Sequence, residues 1–340
     1  MLRNGGADET LDPEIGPGRA HRTRYARTHT EVISNEEYAP PPQTRAQREA
    51  VEPPVRLGAP MMPAIALLLS AYQTLDIPPE WKEPIEPFRV IGNIHYVGTA
   101  ELASYLVTTK EGHILLDTPC EGETELVLAS VRTLGFDPKD IKVLLNSQAH
   151  YDHTGGFRAI RELSGARMMA GAGDRELLGR GGRGDFAFGD RFLFPEVPVD
   201  RALEDGDEIV LGGVTLVARL TPGHTRGATT YVTTVEEDGR RYQVVFAGSL
   251  TVNEGVRLAN PPSYEGIAED YHRSIALLES LKPDVFLAAH GGFFGLRDKA
   301  ERMRKGATPN PFVGGDEYVR WLSRMKAAYE TQLARDRSAQ

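Results

Sequence analysis

The stretch Asn146-Ser-Gln-Ala-His-Tyr-Asp-His-Thr-Gly155 decides the fold. It follows directly on the apolar run 141–146, whose length and composition are typical of a buried β-strand. A tight loop after a strand end projects its side chains into one cleft, and loops in this position commonly carry binding sites. Imidazole and carboxylate groups suit Zn²⁺ as ligands. The candidate ligands in this loop are Gln148, His150, Asp152 and His153.

Two histidines further along the chain also stand at strand ends. His224 lies in Leu220-Thr-Pro-Gly-His-Thr-Arg-Gly227, where a predicted strand passes into a loop, and His290 directly follows the predicted strand 285–289. A single histidine in such a place is more often a hydrogen-bonded loop residue than a ligand. Four of them with an adjacent aspartate instead favour a metal centre. The one cysteine, Cys120, excludes a thiolate-rich zinc site and an intramolecular disulfide.

The chain from residue 78 onward alternates short apolar strands with helices. Predicted strands span 88–97, 104–109, 113–118, 141–146, 214–220, 229–235, 242–247 and 285–289. Predicted helices span 124–134, 157–163, 174–178, 267–281, 299–305 and 317–333. Residues 237–240 predict a hairpin turn, because Gly239 accepts the positive φ that such turns need. Hairpins mixed with strand–helix alternation indicate an α/β fold of mixed sheets covered by helices.

Charge and hydropathy exclude several classes of protein. The 340 residues carry 39 basic and 48 acidic side chains, a formal net charge of −9. This balance argues against nucleic acid as a partner, because nucleic-acid binders generally need a positive field to displace phosphate counterions. No stretch reaches the roughly 20 apolar residues that cross a bilayer, so we expect no membrane span. The composition is typical of a globular protein.

The first 77 residues differ from the rest. Residues 1–60 hold eight arginines, no lysine, nine acidic residues and several prolines, which predicts a disordered leader or a mis-assigned start. Residues 61–72 form an apolar run of the length of a secretory signal core, so we expect a signal-like segment over 61–77 and a periplasmic protein if that segment acts as a signal. A short buried or peripheral helix is the alternative. Residues 78–340 are predicted to form the folded domain.

The loop 146–155, the later Pro222-Gly-His224 and the Ala289-His290 pair together resemble the metallo-β-lactamase fold superfamily over about residues 80–335. The resemblance implies an αβ/βα sandwich of two mixed β-sheets flanked by helices, with metals at one edge. Many hydrolases of this superfamily place a metal-bridging aspartate where this chain has Gly248-Ser249. Serine there, and the stretches 86–93, 96–99, 103–106 and 134–136, resemble the subclass B3 β-lactamases.

The resemblance also implies the ligands of two zinc ions per chain. Gln148, His150 and His224 would hold the first ion, and Asp152, His153 and His290 the second. Gln148 stands where histidine is usual, as in a minority of subclass B3 members, and its amide is a weaker ligand than imidazole.

The implied activity is zinc-dependent hydrolysis of the β-lactam amide bond by metal-bound hydroxide, conferring antibiotic resistance. Asp152 would orient the nucleophile. Ser249 would lie beside the metals and Thr251 would contact the substrate carboxylate. Two alternatives stay open: another hydrolase of this fold, such as a lactonase or thioesterase, and a non-catalytic metal-binding protein.

Overall fold

The computed structural model describes residues 30–32 and 77–339. The predicted leader and signal-like segment therefore lie outside the described residues, apart from the short strand at 30–32 and residue 77. The strands are β1 (Thr30–Val32), β2 (Phe88–Ile91), β3 (Ile94–Tyr96), β4 (Tyr105–Thr109), β5 (Gly112–Leu116), β6 (Ile141–Asn146), β7 (Arg167–Gly171), β8 (Arg201–Leu203), β9 (Glu208–Leu211), β10 (Val214–Leu220), β11 (Thr229–Glu237), β12 (Arg240–Ala247) and β13 (Val285–Ala288). The helices are α1 (Pro79–Lys82), α2 (Thr124–Thr133), α3 (Tyr151–Thr154), α4 (Phe157–Ser164), α5 (Arg175–Gly179), α6 (Ile267–Ser280), α7 (Leu296–Arg304) and α8 (Asp316–Ser338).

The strands form two mixed sheets. One has seven strands in the order β2-β3-β4-β5-β6-β7-β8, and the other has six in the order β1-β9-β10-β11-β12-β13. Strands β2 to β5 pair antiparallel, whereas β5 to β8 pair parallel. In the second sheet β9 to β12 pair antiparallel, and β1 and β13 add parallel edges. The predicted αβ/βα sandwich of two mixed sheets flanked by helices is confirmed.

Strand β6 shows how the layers are built. Val143 and Leu145 are fully buried in the larger hydrophobic core, which joins residues of both sheets and extends to Trp321 of α8. Leu144 points the other way, into a second core that contains Phe157 of α4. The sequence of a strand that is buried on both faces is a nearly continuous apolar run. This explains why residues 141–146 clearly predict a strand.

Several predicted elements differ from those observed. The single strand expected over 88–97 is a hairpin of β2 and β3, because Gly92 turns the chain with a φ of +53°. The turn expected at 237–240 is present, with positive φ at Asp238 and Gly239. Strands β7, β8 and β9 are absent from the prediction because they are short and only partly apolar. Their pairing with neighbouring strands stabilises them.

The two sheets meet at the edge where the predicted ligands lie. The hydroxyl of Tyr231 in β11 donates to the carbonyl of Asn146 at the end of β6, at 2.9 Å. The Thr229 N–H donates to the Ser147 carbonyl at 2.8 Å. These bonds cross from one sheet to the other and place loops from both at one edge. Within residues 30–32 and 77–339, none of the helices has the length and apolarity needed to span a membrane.

Candidate metal centre

Two buried carboxylates fix the backbone of the loop that follows β6. Asp117, at the end of β5, accepts hydrogen bonds from the Ser147 N–H at 2.7 Å and the Ser147 hydroxyl at 2.6 Å. Asp174 accepts from the Ala149 N–H at 3.0 Å and from the Thr225 hydroxyl at 2.6 Å. Asp174 therefore ties this loop to the one that carries the third predicted histidine. Hydrogen bonds around a metal site orient the side chains that bind the metal.

His150 and His224 meet in the first group of predicted ligands. The Nδ1 of His150 lies 3.1 Å from the Nε2 of His224, and both rings are buried. The Nδ1 of His224 lies 2.7 Å from the Thr251 carbonyl oxygen, so it must carry the proton and donate it. Neutral His224 therefore presents an unprotonated Nε2 to the group, which is the form that binds metal.

Gln148, the third predicted member of that group, has a competing contact. Its Oε1 accepts a hydrogen bond from the Ser249 N–H at 2.6 Å. An amide oxygen has two lone pairs, so one remains for a metal. The sharing makes Gln148 a weaker ligand than its neighbours. Ser249 itself is buried, and its hydroxyl lacks a hydrogen-bond partner among the described residues.

Asp152, His153 and His290 form the second group. The Oδ2 of Asp152 lies 3.2 Å from the Nε2 of His153 and 3.6 Å from the Nε2 of His290. The two Nε2 atoms are 3.2 Å apart. One ligand atom from each of the three residues lies within 4.8 Å of the others. The structure thus brings all three predicted members together.

Burial and mutual interaction set the charges of these groups in the metal-free protein. Burial opposes ionisation of Asp152, but the imidazoles of His153 and His290 outweigh it and hold the pKa of Asp152 well below its usual range. Burial lowers the pKa of His153, but the carboxylates of Asp152 and Asp117 outweigh it and raise it to about 10. His153 must therefore lose a proton when a metal binds.

Two further histidines of the ligand groups, His224 and His290, are held neutral. Burial and the nearby His153 lower the pKa of His290 to about 4. Burial and the nearby His150 hold the pKa of His224 well below its ordinary value. At neutral pH both rings offer lone pairs without first releasing a proton.

Three carboxylates that the sequence analysis did not select lie behind the ligand rings. Asp185 Oδ2 is 3.2 Å from His150 Nε2. Asp117 Oδ2 is 3.6 Å from His153 Nδ1, and Glu101 Oε1 is 3.7 Å from His290 Nδ1. Carboxylates in such places orient metal-binding imidazoles and increase their basicity. Asp117 carried a usable signal, since it ends a predicted strand as the selected histidines do; Asp185 and Glu101 lie in loops without one.

Partly exposed aromatic side chains lie beside the two groups. Phe188 lies edge-on to His150, with ring centroids 4.9 Å apart, and packs on Phe192 at 5.0 Å. Phe192 stacks on Tyr151 at 4.7 Å, and Tyr151 contacts Trp81 of α1 at 5.9 Å. We call Trp81, Tyr151, Phe188 and Phe192 the aromatic wall. It provides a partly exposed apolar surface beside the metal ligands.

The remaining candidate residues are Thr251 and Cys120. Thr251 contributes its carbonyl to His224, and its hydroxyl lies 3.2 Å from the same Nδ1. Cys120 is a buried free thiol whose pKa is raised by burial and by the negative charge of Asp152. A thiol held protonated in this way is a poor ligand and nucleophile. Cys120 therefore does not contribute to either ligand group.

The donor set fits zinc. Tetrahedral coordination with Zn–N bonds of about 2.0 Å separates two ligand nitrogens by about 3.3 Å. The facing nitrogens of His150 and His224 are 3.1 Å apart, and those of His153 and His290 are 3.2 Å apart. Each pair is complemented by an oxygen ligand, the amide of Gln148 or the carboxylate of Asp152. Nitrogen and oxygen donors without thiolate are a common zinc environment.

Comparison with known proteins places these features in a family. The model of the metallo-beta-lactamase superfamily matches residues 102–290. The chain is 39% identical to BJP-1, a subclass B3 metallo-beta-lactamase of Bradyrhizobium japonicum, covering 77% of this chain and 98% of that chain with a TM-score of 0.72. It is also 39% identical to the native metallo-beta-lactamase FEZ-1 from Legionella gormanii, covering 76% and 99% with a TM-score of 0.74. The expected resemblance to subclass B3 is confirmed.

The chain is also similar, over a shorter length, to curated hydroxyacylglutathione hydrolases. A hydroxyacylglutathione hydrolase of Rhodospirillum rubrum is 32% identical over 107 residues, which is 32% of this chain and 34% of that protein. One of Pseudomonas paraeruginosa is 29% identical over 140 residues. The chain thus spans only 34% and 42% of the length of these two curated relatives.

Proposed function

The chain belongs to the metallo-β-lactamase superfamily, and within it we propose that the protein hydrolyses the amide bond of β-lactams with two zinc ions bound per chain. Ser249 carries this proposal. It follows β12 beside Gln148, where a bridging carboxylate would mark many other hydrolases of the superfamily. The similarity to solved structures supports it, since the chain is 39% identical to the subclass B3 enzyme from B. japonicum and covers 98% of that chain.

The proposed metal positions follow from the two groups. Gln148, His150 and His224 would hold the first zinc, and Asp152, His153 and His290 the second. Bound zinc would lower the pKa of water towards about 7 and polarise the carbonyl under attack. The outer carboxylates Asp117, Asp185 and Glu101 would keep three of the imidazoles in place.

The chain's own residues supply the rest of the proposed mechanism. Asp152 is held ionised, so it can orient the attacking water by accepting its proton in a hydrogen bond. The hydroxyl of Thr251 would contact the substrate carboxylate, and Ser249 would lie beside the metals. The aromatic wall would pack against apolar substituents of the substrate and exclude bulk water from the ligands.

Metal dependence on a panel of substrates tests this function. The purified full-length protein is assayed on a penicillin, a cephalosporin, a carbapenem, a lactone and a hydroxyacyl thioester, before and after chelation and again after zinc is restored. We expect β-lactam hydrolysis that chelation abolishes and zinc restores. Hydrolysis insensitive to the chelator, or zinc-loaded protein inert to all three β-lactams, would contradict the proposal.

A thioesterase is the second candidate function. It is favoured by the curated relatives named hydroxyacylglutathione hydrolase, one of which, from Methylococcus capsulatus, is 28% identical over 229 residues, covering 60% of this chain and 78% of that protein. Preference for the thioester over every β-lactam in the same panel would establish it.

We further propose that the protein acts in the periplasm and confers β-lactam resistance, with the apolar run at residues 61–72 serving as the signal. Mass spectrometry of the mature N-terminus and fractionation of expressing cells test this localisation. A mature chain that retains residues 61–72, or protein confined to the cytoplasmic fraction, would contradict it.

A further inference from the structure

Helix α6 contacts the loop that carries His224. The hydroxyl of Tyr271 donates to the carbonyl oxygen of Thr251 at 2.8 Å. This is the oxygen that also accepts the Nδ1–H of His224 at 2.7 Å. Both lone pairs of one carbonyl are thus used by two donors. Tyr271 is 1% exposed, so this contact lies in the interior of the protein.

A second contact from the same face of α6 fixes the backbone before His224. Ser274, three residues after Tyr271, donates its hydroxyl to the Pro222 carbonyl at 2.7 Å. Residues three apart lie on one face of a helix, so both hydroxyls point at the loop. Gly223 lies between the two contacts with a φ of +137°, and a Cβ there would come within 2.8 Å of the Tyr271 ring. The loop that carries His224 therefore packs directly against the ring of Tyr271.

We propose that Tyr271 is a positioning residue that holds His224 in its Nδ1–H tautomer, with Nε2 free for a metal. By donating to the Thr251 carbonyl, the tyrosine fixes the direction in which that oxygen accepts the imidazole proton. Without the hydroxyl the carbonyl has one fixed donor fewer and can turn away from the ring, which weakens the preference of His224 for the Nδ1–H tautomer. This inference rests on the proposed function only in taking His224 as a metal ligand.

The matched control is a tyrosine of α8 that makes the same type of bond to a backbone carbonyl of α6. Tyr318 of α8 is 3% exposed and donates its hydroxyl to the Leu278 carbonyl at 2.7 Å. Tyr318→Phe and Tyr271→Phe each remove one buried hydroxyl-to-carbonyl bond and keep the ring. If Tyr271 had a purely structural role, the two substitutions would have similar effects on the His224 tautomer and on zinc affinity. Only the change in melting temperature could then differ between them.

Two measurements on the full-length protein test the positioning role of Tyr271. Long-range ¹H–¹⁵N spectra of the metal-free protein report the tautomer of His224. We expect the Nδ1–H form in the parent and in Tyr318→Phe, and a mixture in Tyr271→Phe. Zinc titration against a competing chelator should show one binding step weakened about three- to tenfold in Tyr271→Phe alone.

An unchanged His224 tautomer in Tyr271→Phe overturns the inference, as does an equal loss of zinc affinity in Tyr318→Phe. The tautomer spectrum needs neither zinc nor a substrate. If the protein proves inert to β-lactams, the role of Tyr271 is therefore still decided independently.

Discussion

Gln148 places an amide where imidazole would bind zinc more tightly, and the structure adds a reason for weak binding. The Ser249 N–H already occupies one lone pair of its Oε1, at 2.6 Å. Sequence alone identified the substitution and its general consequence. It could not identify the competing donor, because Ser249 lies 101 positions away and reaches Gln148 only when the two sheets pack together. For the same reason, sequence could not predict the contacts of Asp185 with His150 and of Glu101 with His290, because each carboxylate approaches its histidine from a distant loop.

Gln148→His should strengthen zinc binding at the first position by about tenfold, within the range by which ligand surroundings alter metal affinity. The imidazole provides a stronger donor than the shared amide oxygen. Competition with a chromophoric chelator measures the change, and Gln148→Ala serves as the control that should weaken the same step. A histidine variant that retains less zinc than the parent would show that the first position is built differently.

Asp152→Ala should lower kcat/KM by more than about 100-fold, the upper end of the effect of losing a single partner around a metal ligand. The substitution removes a ligand and leaves the charge of His153 without its nearest carboxylate. Steady-state kinetics together with zinc content per chain measure the effect. Asp190→Ala is the control, because Asp190 is an exposed residue that accepts a hydrogen bond from the Gly184 N–H. Near-normal turnover in Asp152→Ala would refute its role.

At the scale of elements, strands buried on both faces and long amphipathic helices were predictable. Strand β6 begins and ends where its apolar run does, and helix α6 begins at the predicted residue. The short strands β7, β8 and β9 were not predictable, because pairing within the sheets stabilises them more than their own composition does. The aromatic wall was also missed, since α1 and the loop 180–192 are joined only by tertiary contacts.

Strands β3 and β5 each bury a histidine against Phe136, which follows α2. His95 and His113 are both 8% exposed and lie edge-on to that ring, with centroids 5.2 and 5.0 Å away. Burial lowers the pKa of both histidines, and the charges of Arg89 and Lys142 lower it further, while Asp140 acts in the opposite direction on His113. Both rings are therefore kept neutral in the folded protein.

Acid should destabilise the fold through this histidine pair. Each histidine takes up a proton near about pH 6.5 in the unfolded chain but only at lower pH in the folded one, so stability falls as the pH drops below about 6.5. His113→Leu should reduce the loss of unfolding free energy between about pH 7.5 and about pH 5, measured by urea denaturation. His272→Leu, at an exposed position on α6, should leave the loss unchanged. An identical loss in parent and His113→Leu would contradict this assignment.

At the scale of the whole molecule, the architecture and the convergence of the predicted ligands followed from residues at strand ends. Parallel pairing of β5 with β6 and of β12 with β13 brings those ends to one edge, and bonds from Tyr231 and Thr229 join the two sheets there. What sequence could not provide is the choice between substrates. That choice depends on the shape of the opening between loops, which no local pattern encodes.

The ratio of kcat/KM for a β-lactam to kcat/KM for a hydroxyacyl thioester, measured on one zinc-reconstituted preparation of the full-length protein, tests the central claim most directly. The serine at position 249 and the near-complete overlap with subclass B3 structures predict a ratio well above one for at least one penicillin, cephalosporin or carbapenem. A ratio below one for all three classes would contradict the account and assign the same metal centre to thioester hydrolysis.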